Sequence, residues 1–281
     1  MRIALLHPGN MGVTVGICAV EAGHQVGWSS CGRSAATHER AQAGGFRPYE
    51  DLAALLDESD VAISVCPPGA AQSTAQDAAR HKFRGLYVDA NAVAPPTARA
   101  IAETVEAAGA IYIDAGIIGP PAWRPGTTRI YLSGDRSADL LQCFANTALD
   151  AVVMGHSKTA ASALKMCYAA WTKGSAALLL SVAALAASED VTTKLYEEWA
   201  LSIPDLAARV NATAAGNAPK AWRFEGEMHE IAKTYSANSL PAEFHHAAAA
   251  IFSTLSEFKD CSPAPSLDKV IRALIDSGTP T

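Results

Sequence analysis

A mostly parallel α/β sheet followed by an all-α half built on one long helix is the fold class that this 281-residue sequence predicts. Three observations predict it. Up to about residue 153, short apolar runs alternate with helical stretches, the grammar of a sheet covered on both faces. The first apolar run breaks into a glycine-rich turn that leads straight into a helix. Past Gly155, residues 159–188 hold no proline and almost no charge, and no strand pattern returns.

The elements follow in order. Ile3-Ala4-Leu5-Leu6 suits a buried parallel strand, and Pro8-Gly9-Asn10-Met11-Gly12 is its turn. A helix from Val13 to Ala22 stops at Gly23, and a second strand begins at His24-Gln25-Val26. This is the opening unit of a Rossmann-type dinucleotide-binding domain, with His7 where the G-x-G-x-x-G pattern has its first glycine. Gly9 lets the backbone approach a pyrophosphate and Gly12 lets the helix pack on the strand. The helix amides, from Asn10 and Met11 onward, then hold the phosphates. Strands are expected at 60–66, 85–90 and 110–115, with breaks at Pro67-Pro68-Gly69 and Asn91–Pro95 and a helix from Thr97 to Ala108. Ligands of such sheets lie beyond the carboxyl ends of the strands. Gly9–Gly12, Ser30–Ser34, Cys66–Gly69, Asn91–Pro95 and Gly116–Pro121 are therefore the expected walls of one cleft, with Cys66, Pro67 and Asn91 as cofactor contacts.

The end of the second strand bears on the choice of cofactor. Selection of NAD places a carboxylate there to bind the ribose 2′-hydroxyl, but Trp28–Ser34 contains none. Arg33, with Ser30 and Ser34, offers a planar fork of donors for a 2′-phosphate, which predicts NADP(H) rather than NAD(H).

In the second half, 159–188 reads as one helix of roughly 30 residues, about 45 Å long. Apolar on nearly all faces, it is expected to be buried all round, against its own helices and a second subunit. Further helices are expected at 192–202, 205–215, 224–236, 242–258 and 267–276. The domains are then 1–155 for the cofactor and 156–281 for substrate and dimerisation.

Composition narrows the function. A net charge of −6 argues against a nucleic-acid binder. The longest apolar stretch, Gly174 to Ala187, is shorter than a membrane span. Six cysteines without C-x-x-C spacing suggest reduced thiols, and the strand starting at residue 2 leaves no signal sequence, so a cytoplasmic protein is expected. His245-His246 with His229 and Glu230 has no metal-ligand spacing, so no metal is expected.

With these residues laid out, the chain resembles the β-hydroxyacid dehydrogenase and 6-phosphogluconate dehydrogenase superfamily over nearly its full length. Gly9–Gly12, Gly23–Val26 and Val88-Asp89-Ala90 through Pro95 are similar to its cofactor domain. Asp114-Ala115-Gly116-Ile117-Ile118-Gly119 falls at its substrate loop, and Gly126 to Asp135 resembles the segment that follows. The stretches 161–166 and 220–228 resemble a bacterial branch with a distinct helical C-terminal domain. The resemblance implies that Lys165 is the catalytic lysine and that Ile118 and Gly119 lie at the substrate. It also marks two departures: Ile118 stands where the family has a serine, and Ala169 where it has an asparagine one turn after the lysine. A more apolar pocket, for a bulkier ketone, aldehyde or imine, follows from those losses.

The chemistry expected is proton transfer by Lys165, whose neighbours Ala161, Leu164, Met166 and Ala169 are uncharged. Asn91 can bind the nicotinamide ribose or substrate, or cap the turn before Pro95. Tyr168, one turn from Lys165, can meet the substrate or fill the core. Trp222, Glu227 and His245 can reach the cleft from the helical half, or be structural. The reading is an NADP(H)-dependent oxidoreductase acting between hydroxyl and carbonyl, as a homodimer. An imine reductase and a non-catalytic NADP(H)-binding sensor are its rivals.

Overall fold

The computed structural model describes residues 1–277. The chain divides into two compact units, Met1–Met166 and the remainder from Cys167 on.

The first unit runs β1 (Arg2–Leu5), α1 (Gly12–Glu21), β2 (Gln25–Ser29), α2 (Ala35–Ala43), β3 (Arg47–Tyr49), α3 (Leu52–Asp57), β4 (Val61–Ser64), α4 (Pro68–Arg80), β5 (Leu86–Asp89), α5 (Pro95–Ala107), β6 (Ile111–Ile118) and β7 (Thr128–Ser133). A 3-10 turn at Ser137–Phe144 leads to β8 (Leu149–Val153), and then α6 (Ala160–Ser188) begins. The strands form an eight-stranded sheet in the order β3-β2-β1-β4-β5-β6-β7-β8. Among the described residues the one antiparallel pairing is β6 with β7, and β8 pairs parallel with β7. The order reverses between β1 and β4, and that switch point opens a crevice at the carboxyl edge.

Two-residue alternation sorts the strand side chains onto two cores. Ile3, Leu5, Val61 and Ile63 enter one apolar cluster, and Ala4, Leu6, Ala62 and Tyr87 the other. Burying each Ile or Leu contributes about 1.5–3 kcal/mol, so the central strands are held from both faces.

Several elements differ from the sequence reading. Residues 35–57 hold α2, β3 and α3, which no apolar run announces: β3 is Arg47-Pro48-Tyr49, a three-residue edge strand containing a proline. β7 and β8 also went unread. Strand β6 continues through Ile118, so Gly116, Ile117 and Ile118 are strand rather than loop, and Ile118 is buried. Strand β4 stops at Ser64, leaving Cys66 in the loop.

The second unit holds the rest of α6, then α7 (Thr192–Ser202), α8 (Leu206–Asn217), a 3-10 turn (Ala218–Lys220), α9 (Ala221–Ala237), α10 (Glu243–Thr254), a 3-10 turn (Leu255–Phe258) and α11 (Leu267–Ser277). Leu179, Ala183, Trp199, Val210 and Ile271 form a core within it. The long helix has 29 residues, as its uninterrupted Ala/Leu pattern predicts. Within the single chain it leaves Tyr168, Trp171, Leu178 and Leu185 exposed. One expectation for it is corrected. By length and composition it suffices to cross a membrane, since the helix extends well beyond Gly174–Ala187, although 56% of its most apolar window is buried inside the protein. A membrane span and the core helix of a globular enzyme share that composition.

Candidate active site

The turn after β1 is built by close packing. A Cβ on Gly12 would lie 2.1 Å from the His7 carbonyl oxygen, so only glycine lets α1 start where it does. A Cβ on Gly9 would meet nothing within 4 Å, which leaves the backbone there open to a ligand. No side chain caps α1, so the positive end of the helix at Met11 and Gly12 has no side-chain acceptor among the described residues. Asn10 is exposed beside them.

His7 fills the place of the missing glycine, and its Nδ1 is buried without a partner among the described residues. Burial and the nearby Arg33 cation hold its pKa down at about 4, so the imidazole is neutral at physiological pH. Arg33 Nη2 donates to Leu6 O at 3.1 Å. A second arginine, Arg40 on α2, donates from Nε to Pro8 O at 3.2 Å and from Nη2 to Thr37 Oγ1 at 3.0 Å. Ser34 Oγ lies 3.0 Å from the same Thr37 hydroxyl. Two guanidiniums thus clasp the nucleotide turn through its carbonyls, and neither forms an ion pair among the described residues. Beside them a cavity of about 270 Å³ is lined by Leu6, His7, Arg33, Leu52, Thr74 and Asp77. Ser30 is less available than the sequence suggests, because it is buried and its hydroxyl donates to Tyr49 O at 2.9 Å.

Across the switch point the polar groups are spent on the fold. Asn91 is buried, donating from Nδ2 to Ser64 Oγ at 2.9 Å and to Asp89 Oδ1 at 2.5 Å. Its Oδ1 accepts from Cys66 N at 2.6 Å. It therefore ties the end of β5 to the loop that carries Cys66 and Pro67. Neither cofactor contact nor the turn-capping alternative accounts for these three bonds.

Lys165 leaves α6 in its second turn, half-buried, and its Nζ donates to Ile117 O at 2.8 Å. Gly116 makes that approach possible, because a Cβ there would sit 2.7 Å from Ala161 O and 3.2 Å from Lys165 Cβ. The next loop starts at Gly119 and is latched to α1, with Ala122 N donating to Thr14 Oγ1 at 3.1 Å. Trp123 stands beside the latch, 63% exposed.

The carboxyl edge of the sheet thus gathers Gly9, Met11, Arg33, Ser34, Cys66, Asn91 and the Ile118–Gly119 end, and it packs the start of α6 beside them. Tyr168 follows Lys165 by one turn and is exposed. In the second unit Glu227 is ion-paired with Lys173 at 2.8 Å, both largely buried, and Lys173 also lies 4.9 Å from the Phe224 ring. Trp222 lies under Lys259, with its Nε1 buried. His245 is buried 4.2 Å from the Tyr235 ring, and burial together with His246 lowers its pKa. Within that unit Glu227 compensates a buried ammonium, and His245 packs tilted against Tyr235 and edge-on to Phe244.

Sequence reasoning missed His7 as a pocket wall, Arg40, and Asp114 as the partner of α6. Arg40 sits seven residues past Arg33 on an exposed helix, and nothing local marks it. The residues present fit a dinucleotide: an open glycine turn at an uncapped helix, two guanidiniums without an ion pair among the described residues, and a cavity at the strand ends.

Comparisons with known proteins bear on the family and the fold. Residues 2–155 match the profile of the NAD binding domain of 6-phosphogluconate dehydrogenase, and residues 186–255 match a domain of unknown function, DUF1932. A curated relative, an uncharacterized 28.5 kDa protein from Methanothermus fervidus, is 30% identical over 166 residues; the match spans 59% of this chain and 63% of the relative. A solved conserved protein of unknown function, described as similar to 3-hydroxyacid dehydrogenases, is 26% identical with a TM-score of 0.67, covering 92% of this chain and 98% of its own. The Mycobacterium tuberculosis 3-hydroxyisobutyrate dehydrogenase, solved with L-serine, has a TM-score of 0.70 at 19% identity, covering 97% and 98%. A Streptomyces aurantiacus imine reductase shares the fold with a TM-score of 0.54 at 18% identity, covering 98% and 99%.

Proposed function

This chain belongs to the family of the NAD binding domain of 6-phosphogluconate dehydrogenase, and we propose that it is an NADP(H)-dependent oxidoreductase interconverting a hydroxyl and a carbonyl on a small organic substrate, with Lys165 as acid and base. The membership, and the likeness to a protein described as similar to 3-hydroxyacid dehydrogenases, support a dehydrogenase or reductase. The observation that carries the rest is the placement of Lys165, whose ammonium is pinned to Ile117 O at the carboxyl end of β6.

Bound nicotinamide supplies or receives the hydride. In reduction, the Lys165 ammonium polarises the carbonyl and gives a proton to the forming alkoxide; in oxidation, the neutral amine takes the hydroxyl proton. The Ile117 carbonyl fixes Nζ, so the lysine spends little entropy in reaching the oxygen. Arg33 and Arg40, with Ser34 and Thr37, hold the phosphate that distinguishes NADP from NAD, and no carboxylate at the end of β2 repels it. Gly9 and the amides of α1 take the pyrophosphate.

The sequence departures at Ile118 and Ala169 favour a second reading, imine reduction, because both positions are apolar. We also assign the exposed row on α6 to a second copy of the chain. Trp171, Leu178 and Leu185 recur every seven residues as exposed apolar side chains, the spacing at which one helix of a pair repeats. All six cysteines are free, which suits a reducing cytoplasm.

The test is NADPH oxidation followed against aldehydes, 2- and 3-keto acids and cyclic imines. Carbonyl turnover is expected. Turnover of imines alone would replace the reading with its rival. Tight NADPH binding with no turnover across the panel would favour a sensor.

A further inference from the structure

We propose that Asp114 and Asp89 form a pair of positioning residues, Asp114 setting the first turn of α6 and thereby Lys165, and Asp89 setting the loop after β4 through Asn91. The inference rests on the proposed role of Lys165 and extends it to the groups that aim the lysine.

The geometry begins with the alternation of β6, which places Tyr112, Asp114 and Gly116 on one face. Asp114 is fully buried, and its carboxylate accepts three hydrogen bonds: from Ser162 N at 2.9 Å, Ser162 Oγ at 2.5 Å and Ser133 Oγ at 3.0 Å. Ser133 Oγ in turn accepts from Ala161 N at 3.1 Å. Two first-turn amides of α6, orphaned by helix geometry, are thus met by this cluster, and a negative charge sits where the helix end is positive. Two residues along β6, Gly116 runs so close to α6 that a Cβ would lie 2.7 Å from Ala161 O and 3.2 Å from Lys165 Cβ, and Ile117 O takes the ammonium. The strand therefore meets the helix at three successive levels, and a shift at Asp114 moves the lysine.

Asp89 is the register partner of Asp114 on β5 and is equally buried. Its Oδ1 accepts from Asn91 Nδ2 at 2.5 Å and Asn91 N at 3.3 Å, and its Oδ2 accepts from Tyr112 OH at 3.3 Å. Through Asn91 it holds Cys66 N. Two buried carboxyls side by side are costly, and apolar residues would be more stabilising. Here, on adjacent strands, Asp89 holds the loop after β4 through Asn91 and Asp114 holds the start of α6.

Burial displaces both carboxyls in the same direction. Burial and the neighbouring Asp114 push Asp89 up to about 7. Burial raises Asp114 to about 6, opposed by its bonds from Ser162 and Ser133. Asp114, with three donors, is the member that ionises first. The titratable groups facing Asp89 are Asp114, Tyr112, Tyr87 and Cys66, and all four are neutral or acidic.

The experiment reads Lys165 directly. Lysines are methylated with ¹³C-formaldehyde, and the Lys165 signal, identified by its loss in Lys165→Ala, is titrated by NMR in wild type, Asp114→Asn and Ser162→Ala. Binding of NADPH is measured by fluorescence alongside. Asp114→Asn is expected to shift the Lys165 titration midpoint by about half a unit or more, to lower kcat about 10–100-fold, and to change the NADPH Kd less than about twofold. Ser162→Ala removes one bond only and is expected to move the same quantities less; it carries the test if Asp114→Asn fails to fold. An unmoved Lys165 midpoint in folded variants overturns the inference, whatever the lysine does. Wild-type turnover by Lys165→Ala instead overturns the acid/base reading while leaving the positioning result to stand on the NMR.

Discussion

The two sides of the crevice treat their polar groups in opposite ways. On the β5–β6–α6 side, Asn91, Asp89, Asp114, Ser133 and Ser162 satisfy one another at 2.5–3.3 Å and leave little for a ligand. On the β1–β2 side, Arg33 and Arg40 rest on backbone carbonyls, and among the described residues neither pairs with a carboxylate and a His7 nitrogen has no partner. The difference teaches a division of labour. Satisfied, buried networks fix where a reactive group stands. Charges left without a counter-charge mark where a charged molecule is to bind, since such cations gain most from an arriving phosphate.

Breaking the close approach at the turn should have the largest effect. Gly12→Ala must displace a carbonyl that would stand 2.1 Å from the new carbon. It is expected to abolish measurable NADPH binding and lower Tm by more than about 5 °C. Thermal unfolding with and without NADPH checks both. Wild-type binding in that variant would mean the turn is not where the pyrophosphate lies.

The cationic side should then separate the two cofactors. Arg33→Ala and Arg40→Ala are each expected to weaken NADPH about 10–100-fold while leaving NADH within about threefold. Calorimetric titration with both nucleotides decides it. Equal losses for the two would place the arginines at the shared pyrophosphate rather than the 2′-phosphate.

The satisfied side should reveal itself through pH. Asp89 has a raised folded pKa, so the stability of its neutral form is complete below the ordinary carboxylate value of 3.8 and is lost as pH rises through about 7. Asp89→Asn keeps the shape and removes the charge. It is expected to raise Tm by roughly 3–8 °C at pH 8 and to change it little at pH 4. A destabilised variant at pH 8 would show that the charge is worth more than its burial costs.

The smallest effect concerns the helix seam. Leu178→Glu is expected to convert dimer to monomer in sedimentation velocity with little change in the far-UV spectrum. A wild type already monomeric at micromolar concentration would remove the seam from the account.

Much of the nucleotide side was legible in the sequence because its signals are local. The turn Pro8–Gly12, the apolar strands and the missing carboxylate before Ser34 lie within one short stretch, and period and punctuation reveal them. The length of α6 was legible too, since nothing between Ala160 and Ser188 interrupts a helix. Its exposed face was not, because a helix of Ala and Leu on every side carries no polar stripe to say which side faces out. Strand β3 escaped because three residues with a proline make no apolar run. The satisfied network escaped for a different reason: Asp114 and Ser162 are 48 residues apart, and Asn91 meets Cys66 across 25. Hydrogen bonds over such separations leave no periodic trace.

The measurement that bears most directly on the central claim is a paired one on Lys165→Ala: the NADPH Kd from fluorescence, and kcat for the best carbonyl substrate from the same preparation. The account predicts a Kd within about twofold of wild type and a kcat lowered about 10²–10⁴-fold. An unchanged kcat, or a loss confined to NADPH affinity, would contradict it and move the proton to another group.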